Sequence, residues 1–140
     1  MAALIDRVRD RVGNEAERMK RAFRGAIAQV HFDDNADYRN TVVLAGSGRG
    51  GTTWIAEIIN YDNEYRFIFE PFAAHKVPLA KEFRNRQYLR PDDPAPAFFK
   101  PARLLLSGAF RNSWTDFYNH RVRSSRRLVK DIRINLFLSW

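Results

Sequence analysis

The chain contains no cysteine, which excludes disulfide bridges and thiolate-ligated metal sites and fits a reducing compartment. No run approaches the roughly 18 apolar residues that a membrane-spanning helix requires, and the N-terminus lacks the apolar core of a secretory signal. Internal repeats and low-complexity tracts are also missing. These absences predict a cytoplasmic globular protein with no integral membrane segment. Acidic residues are scarce too: 16 Asp and Glu stand against 24 Lys and Arg, a formal net charge of +8. Such a surplus favours anionic partners, whether nucleic acid, a membrane surface or a small ligand carrying several negative groups.

What is present begins with 140 residues, 45% of them hydrophobic, enough for one domain with a core. The stretch that organises it is TVVLAGSGRGGTTW, Thr41 to Trp54. Val42, Val43 and Leu44 read as a strand, and Trp54, Ile55, Ile58 and Ile59 as the apolar residues of a helix running to about Asn60. The glycine-rich loop between them lies at a helix N-terminus, where free backbone N–H groups and the helix dipole converge on anions. Gly46, Gly48, Gly50 and Gly51 allow close backbone approach to a ligand, Thr52 and Thr53 add hydroxyls, and Arg49 adds a forked cation. This pattern is a seat for phosphate or sulfate.

Gly46, Gly51 and Thr53 fall on the Walker A pattern, but Thr52 occupies its lysine position. That loss argues against an ordinary ATP-hydrolysing site, because the lysine stabilises the β- and γ-phosphates. A ligand-free turn between strand and helix remains the plain alternative.

Upstream, Leu4, Val8, Val12, Ala16, Met19, Phe23 and Ile27 recur at helical spacing across residues 2–32. Gly13-Asn14 predicts a break there, with Asn14 and Glu17 spaced as a capping box. The stripe is expected to pack on the protein's own core, with peripheral contact of residues 2–30 on an anionic membrane as the alternative. Asp33, Asp34, Asn35 and Asp37 read as a solvated turn, since the calcium-loop spacing is missing. The segment 1–40 is thus set apart from 41–140.

Downstream, Arg66 to Phe69 reads as a buried strand ending at Glu70-Pro71-Phe72. Ligands of open α/β sheets bind outside the carboxyl ends of the strands, which puts Glu70 on the same rim as the Arg49 loop. A carboxylate there, partly desolvated by Phe69 and Phe72, is a candidate general base. A solvent-facing strand-end glutamate fits the pattern equally well. His75, His31 and His120 have no second ligand at sensible spacing, so no metal is assigned.

Pro78 is expected to open a helix reaching about Tyr88, residues 90–96 to form a rigid connection, and a helix to run from about Pro101 to Asn119. Its aromatics read as core, because the alternating basic and aromatic pattern of a single-strand binder is absent; no nucleic-acid partner is expected. Arg121, Arg123, Arg126 and Arg127 read as a solvated loop before a third strand, Leu128 to Ile132. Lys130 inside that strand is expensive unless it meets an anion or the strand's end. Ile134 to Trp140 resemble the start of a helix. The alternation of strands and helices predicts an α/β domain with a parallel sheet and a P-loop-like strand–loop–helix.

GSGRGGTTW at 46–54, FEPF at 69–72 and RLVKDIR at 127–133, in that order, resemble the sulfotransferases that use 3′-phosphoadenosine-5′-phosphosulfate. The resemblance covers Thr41 to the end and is closer to carbohydrate-type and bacterial members than to the aryl and steroid type. In the latter a lysine and histidine stand on the third strand; here Lys130 matches the lysine, and Ile132 replaces the histidine. The resemblance implies that Arg49, Gly50, Gly51, Thr52, Thr53 and Trp54 bind the donor's phosphosulfate end. It implies Glu70 as base and Arg49 and Lys130 as stabilisers of sulfuryl and leaving-group charge, with no metal. The acceptor would be a small-molecule or carbohydrate hydroxyl.

The family's arginine and serine for the 3′-phosphate have no counterpart in the chain and are expected beyond Trp140. This predicts an incomplete sulfotransferase domain, the front portion of a longer enzyme, with weak donor binding and little turnover on its own. The competing classes are another P-loop enzyme such as a small-molecule kinase, and a non-catalytic anion-binding protein.

Overall fold

The computed structural model describes residues 12–20, 22, 23, 26, 32, 33, 37–84 and 86–140. A helix α1 covers 12–20, followed by β1 (Phe32–Asp33), a 3-10 turn (Tyr38–Asn40), β2 (Thr41–Ala45), α2 (Thr52–Ile59) and β3 (Tyr65–Phe69). A 3-10 turn (Pro78–Ala80), α3 (Pro96–Leu106), β4 (Arg123–Ser124) and β5 (Arg126–Asp131) complete the order. The protein is mixed α/β, with a three-stranded parallel sheet in the order β2-β5-β3 and a small parallel pair, β1 with β4.

The sheet's register explains its two cores. Val42 pairs with Leu128 and Leu44 with Lys130, while Phe67 and Phe69 pair with the same two β5 residues from the other side. Alternation along a strand puts this set on one face. There Ala56 of α2 buries against Phe67 and Leu128, joined by Leu44, Phe69 and Tyr118. A second, larger core gathers Phe72, Val77, Ala80, Phe83, Ala102, Leu105, Ile134 and Phe137, with Ala45 packed against it. Asn60 caps α2 and closes the turn into β3, its side chain accepting from Tyr65 N–H at 2.9 Å and donating to Tyr65 C=O at 3.1 Å.

Several expectations are corrected. Gly13 and Asn14 both lie in helical backbone, so no break falls there; Val12, Met19 and Phe23 are exposed rather than packed on a core. The remainder of the 2–32 stripe lies outside the described residues. Among the described residues of 78–88 a single 3-10 turn, Pro78–Ala80, stands in place of the expected helix, with Val77, Ala80 and Phe83 buried at spacings of three. The later helix starts at Pro96, runs through Pro101 and stops at Leu106. Gly108 follows it at φ 72°, and a Cβ there would lie 2.1 Å from Asp33 Oδ2, so only glycine fits. Residues beyond it cover the outer edge of β3, where Phe69 N–H donates to Thr115 C=O at 2.7 Å and Phe67 N–H to Asn119 Oδ1 at 2.8 Å. Ile134 to Trp140 form successive turns, closed by Phe137 N–H to Ile134 C=O at 3.0 Å and Trp140 N–H to Phe137 C=O at 3.2 Å.

Arg127 is fully buried, not in a solvated loop, and Asp33 is no solvated turn residue. At the start of the sheet Arg66 and Arg127 stand side by side in register. Asp33 lies 2.6 Å from Arg66 and 3.4 Å from Arg127. Asp116 takes a forked pair of bonds from Arg66 at 2.8 and 3.2 Å, and the carbonyls of Gly108 and Phe110 take the rest. Burial alone would lower the Arg66 pKa, but the hydrogen bonds and charges of Asp116 and Asp33 outweigh it and raise it above the ordinary arginine value. Among the described residues no helix is long and apolar enough to cross a membrane.

Candidate functional site

The loop after β2 is built as its glycines require. Gly50 N–H donates to Ser47 C=O at 3.1 Å, closing a turn over Ser47–Gly50. A Cβ on Gly46 would lie 2.4 Å from Thr52 Cγ2, so the loop closes back on the helix only because Gly46 has no side chain. Gly51, at φ 73°, caps α2 in the left-handed region. The first helical bond is Ile55 N–H to Gly51 C=O at 3.1 Å. The amides of Thr52, Thr53 and Trp54 therefore have no acceptor within the helix, and they converge at its positive end.

Arg49 also has positive φ, 65°, which is rare for a side-chain-bearing residue and turns it outward. It is exposed, and no hydrogen bond or ion pair engages it among the described residues. Thr52 is buried with its methyl against Gly46, Thr53 is half-buried, and Trp54 is exposed.

Glu70 follows β3 directly, in another left-handed conformation, φ 42°, made costlier by the proline after it. The surroundings hold it there. Its N–H donates to Lys130 C=O at 2.7 Å, and its C=O accepts from Ala73 N–H at 3.1 Å and Trp114 Nε1 at 3.3 Å. Its carboxylate is divided between two cations: Oε1 accepts from Lys130 Nζ at 2.7 Å, and Oε2 from Arg133 Nη1 at 2.9 Å. Burial would raise the Glu70 pKa, but these two hydrogen bonds and charges prevail and hold it below the ordinary glutamate value.

Lys130 is 3% exposed and meets the anion that its position in a buried strand demands. Its ammonium also stands 4.7 Å from the Phe69 ring centroid. It is on the central strand, paired with Leu44 of the loop-bearing strand on one side and Phe69 of the glutamate-bearing strand on the other. The loop and Glu70 thus leave strands about 10 Å apart, two strand spacings, with Lys130 between them.

Asp131 fixes the frame. Fully buried, it accepts from Phe72 N–H at 2.8 Å and from Arg133 N–H at 2.8 Å, tying the turn after β3 to the turn after β5. Burial pushes its carboxyl above the ordinary aspartate value, although those backbone hydrogen bonds pull the other way. Ile132 reaches toward the loop: its Cδ1 is 3.6 Å from where a Gly48 Cβ would be.

The residues singled out by sequence therefore gather at one end of the sheet. Arg133, Asp131 and Trp114 were missed; Arg133 alone had a legible signal, a cation three positions after Lys130 in a strand-end run. His75 is exposed beside Trp114, ring centroids 6.3 Å apart, and among the described residues it makes no hydrogen bond or ion pair with Glu70. A separate cavity of about 480 Å³, lined by Val43, Phe72, Leu106, Phe137 and Trp140 among others, lies against β2 and α3, and neither the loop nor Glu70 lines it. Comparison with family models, with curated proteins and with solved structures returns no match.

Proposed function

We propose that the chain carries the phosphosulfate-binding loop and the base of a sulfotransferase, moving a sulfuryl group from 3′-phosphoadenosine-5′-phosphosulfate to an acceptor hydroxyl. The observation that carries this reading is Lys130 on the central strand, bonded to Glu70 and in register with the strand that feeds the anion-binding loop. The loop supplies the parts of an oxyanion cradle for the donor's charged end: three helix-terminal amides, a left-handed Gly51 and an exposed arginine that is unengaged among the described residues. Thr52 in place of the Walker lysine favours binding over hydrolysis of a triphosphate.

In the transfer, the acceptor oxygen forms a bond to sulfur while the bond from sulfur to the bridging oxygen breaks. The leaving adenosine bisphosphate keeps that electron pair, and Glu70 takes the acceptor's proton. Arg49, the loop amides and Lys130 stabilise charge on the sulfuryl and bridging oxygens. Positioning and electrostatics supply the acceleration, as they do in phosphoryl transfer.

The test is a titration of the isotope-labelled protein with adenosine 3′,5′-bisphosphate, read by the amide resonances of residues 48–54. Saturable shifts that vanish in the Arg49→Ala, Thr52→Ala double variant are expected. Shifts that survive the double variant, or that only magnesium-ATP produces, would overturn the proposal.

A further inference from the structure

Each oxygen of the Glu70 carboxylate has its own cation, and the two cations are held very differently. Arg133 donates to Oε2, and its side chain also reaches Asp131 Oδ1 at 3.6 Å while its N–H donates to the same carboxylate at 2.8 Å. Asp131 is completely buried and bonded to Phe72 N–H, so Arg133 is anchored to the frame of the site. Lys130 has no such second anchor. Of its three ammonium N–H groups, one hydrogen bond, to Oε1, is made among the described residues, and the ring of Phe69 takes only a weak share. Two donors are left over on a side chain that is almost fully buried, on the strand midway between Glu70 and the loop.

We infer that Arg133 is a positioning residue that keeps Glu70 in place while Lys130 is shared, bound to Glu70 before nucleotide arrives and handed to the nucleotide's 5′-phosphate oxygens afterwards. The inference rests on the sulfuryl-transfer reading and adds an order of events to it. Before nucleotide binding, both carboxylate oxygens are engaged and Glu70 is a poor proton acceptor. Once a bound phosphate recruits the ammonium, Oε1 is freed on the side facing the loop, while Oε2 stays on Arg133. The carboxylate becomes more basic without losing its position, and it does so only when the donor site is filled. A lysine is suited to such a handover because its charge ends a flexible stem and moves between acceptors, whereas the planar guanidinium of Arg133 favours a fixed contact.

Among the described residues, the charged groups facing Glu70 are Lys130, Arg133 and, through Arg133, Asp131. The experiment follows the Glu70 carboxyl carbon by NMR, assigned with Glu70→Gln, in a pH titration with and without adenosine 3′,5′-bisphosphate. Without nucleotide, Arg133→Met and Lys130→Met should each move the Glu70 midpoint upward, and Arg133→Lys should restore most of the first shift. Saturating nucleotide should move the wild-type midpoint upward and leave that of Lys130→Met where it was.

Outcomes separate cleanly. Loop amides that shift with nucleotide while Glu70 does not move overturn the handover. So does an equal nucleotide response in Lys130→Met. A Glu70 midpoint indifferent to Arg133→Met, in a protein whose amide spectrum is native, overturns the positioning role. No response of the loop amides at all overturns the sulfuryl-transfer reading itself, and the handover with it; the midpoint shifts without nucleotide then still report whether Arg133 holds the carboxylate.

Discussion

The two ends of the parallel sheet use the same ingredients to different effect. At the start of β3 and β5, Arg66 and Arg127 lie side by side, buried, with acids close by. At the far end, Lys130 lies beside Phe69 with Glu70 and Arg133 beyond it. The lower cluster is saturated. Every nitrogen of the Arg66 guanidinium is bonded, to Asp33, Asp116 and two carbonyls, and Arg127 binds Thr41 Oγ1 at 3.0 Å, Leu106 C=O at 3.1 Å and the carbonyl of Asp37. Among the described residues the upper cluster has donors to spare: the loop amides, the two remaining Lys130 protons and Arg49. Buried charge that is fully satisfied holds a fold together, whereas charge with unfilled valence in a strained frame is suited to a ligand.

The sharpest way to break that comparison is Arg66→Ala. Removing it takes the cation from buried Asp116, which keeps only neutral hydrogen bonds from Asn112, Thr115 and Asn119, and takes one partner from Asp33, a loss that costs about 3–5 kcal/mol for a buried pair. That is a large share of a typical total of about 5–15 kcal/mol. The urea midpoint should fall by roughly 2 M, measured by circular dichroism. A loss under about 1 kcal/mol would mean that the lower cluster is not what secures the sheet.

Glu70→Gln probes the upper cluster with a smaller structural and a larger functional effect. Turnover of labelled donor, in a form of the protein that supports it, should drop about 10²–10⁴-fold if Glu70 is the base. Its stabilising effect also has a pH signature. Glu70 is held below the ordinary glutamate value, so its contribution is complete above the unfolded carboxylate value, about 4.3, and disappears as pH falls through the folded value. Asp131, displaced upward by burial, is present in both proteins. The stability gap between wild type and Glu70→Gln should therefore be level from neutral pH to about pH 5 and close only in stronger acid. A gap that closes nearer neutrality would reverse the sign assigned to Glu70.

The same contrast explains what was legible in the sequence. The strand–loop–helix of Thr41–Ile59 was readable because glycine spacing and apolar runs are local signals, and Lys130 announced an anion because a lysine in an apolar strand needs one. The lower cluster was not readable. Arg66 and Arg127 look like surface residues until Asp33 and Asp116, 33 and 50 positions from Arg66, fold against them. The overextended helix after Pro101 fails for a related reason. Its aromatic periodicity continues past Gly108, but that glycine turns at φ 72°, its carbonyl accepts from the distant Arg66, and Asp33 and Arg127 fill the space where a side chain would stand. Arg133 carried a local signal, a cation three positions after Lys130, but lying past the apolar run it has no burial that demands an anion, and its partner is set 63 positions away.

The smallest expected effects lie within the loop, and they separate its two unusual backbone positions. Gly51 and Arg49 have similar positive φ, 73° and 65°, yet one is a residue suited to that conformation and the other is not. Gly51→Ala should cost about 1–2 kcal/mol by forcing a Cβ into the left-handed region, although no neighbour lies within 4 Å of it. Arg49→Gly should gain about 0.5 kcal/mol, the relief of that strain less the extra freedom of glycine in the unfolded chain. If it also abolishes the nucleotide-induced amide shifts, the loop keeps a less stable residue because its charge is needed there. Should Arg49→Gly instead lose stability, the guanidinium supports the turn itself, and the loop would belong with the saturated end of the sheet.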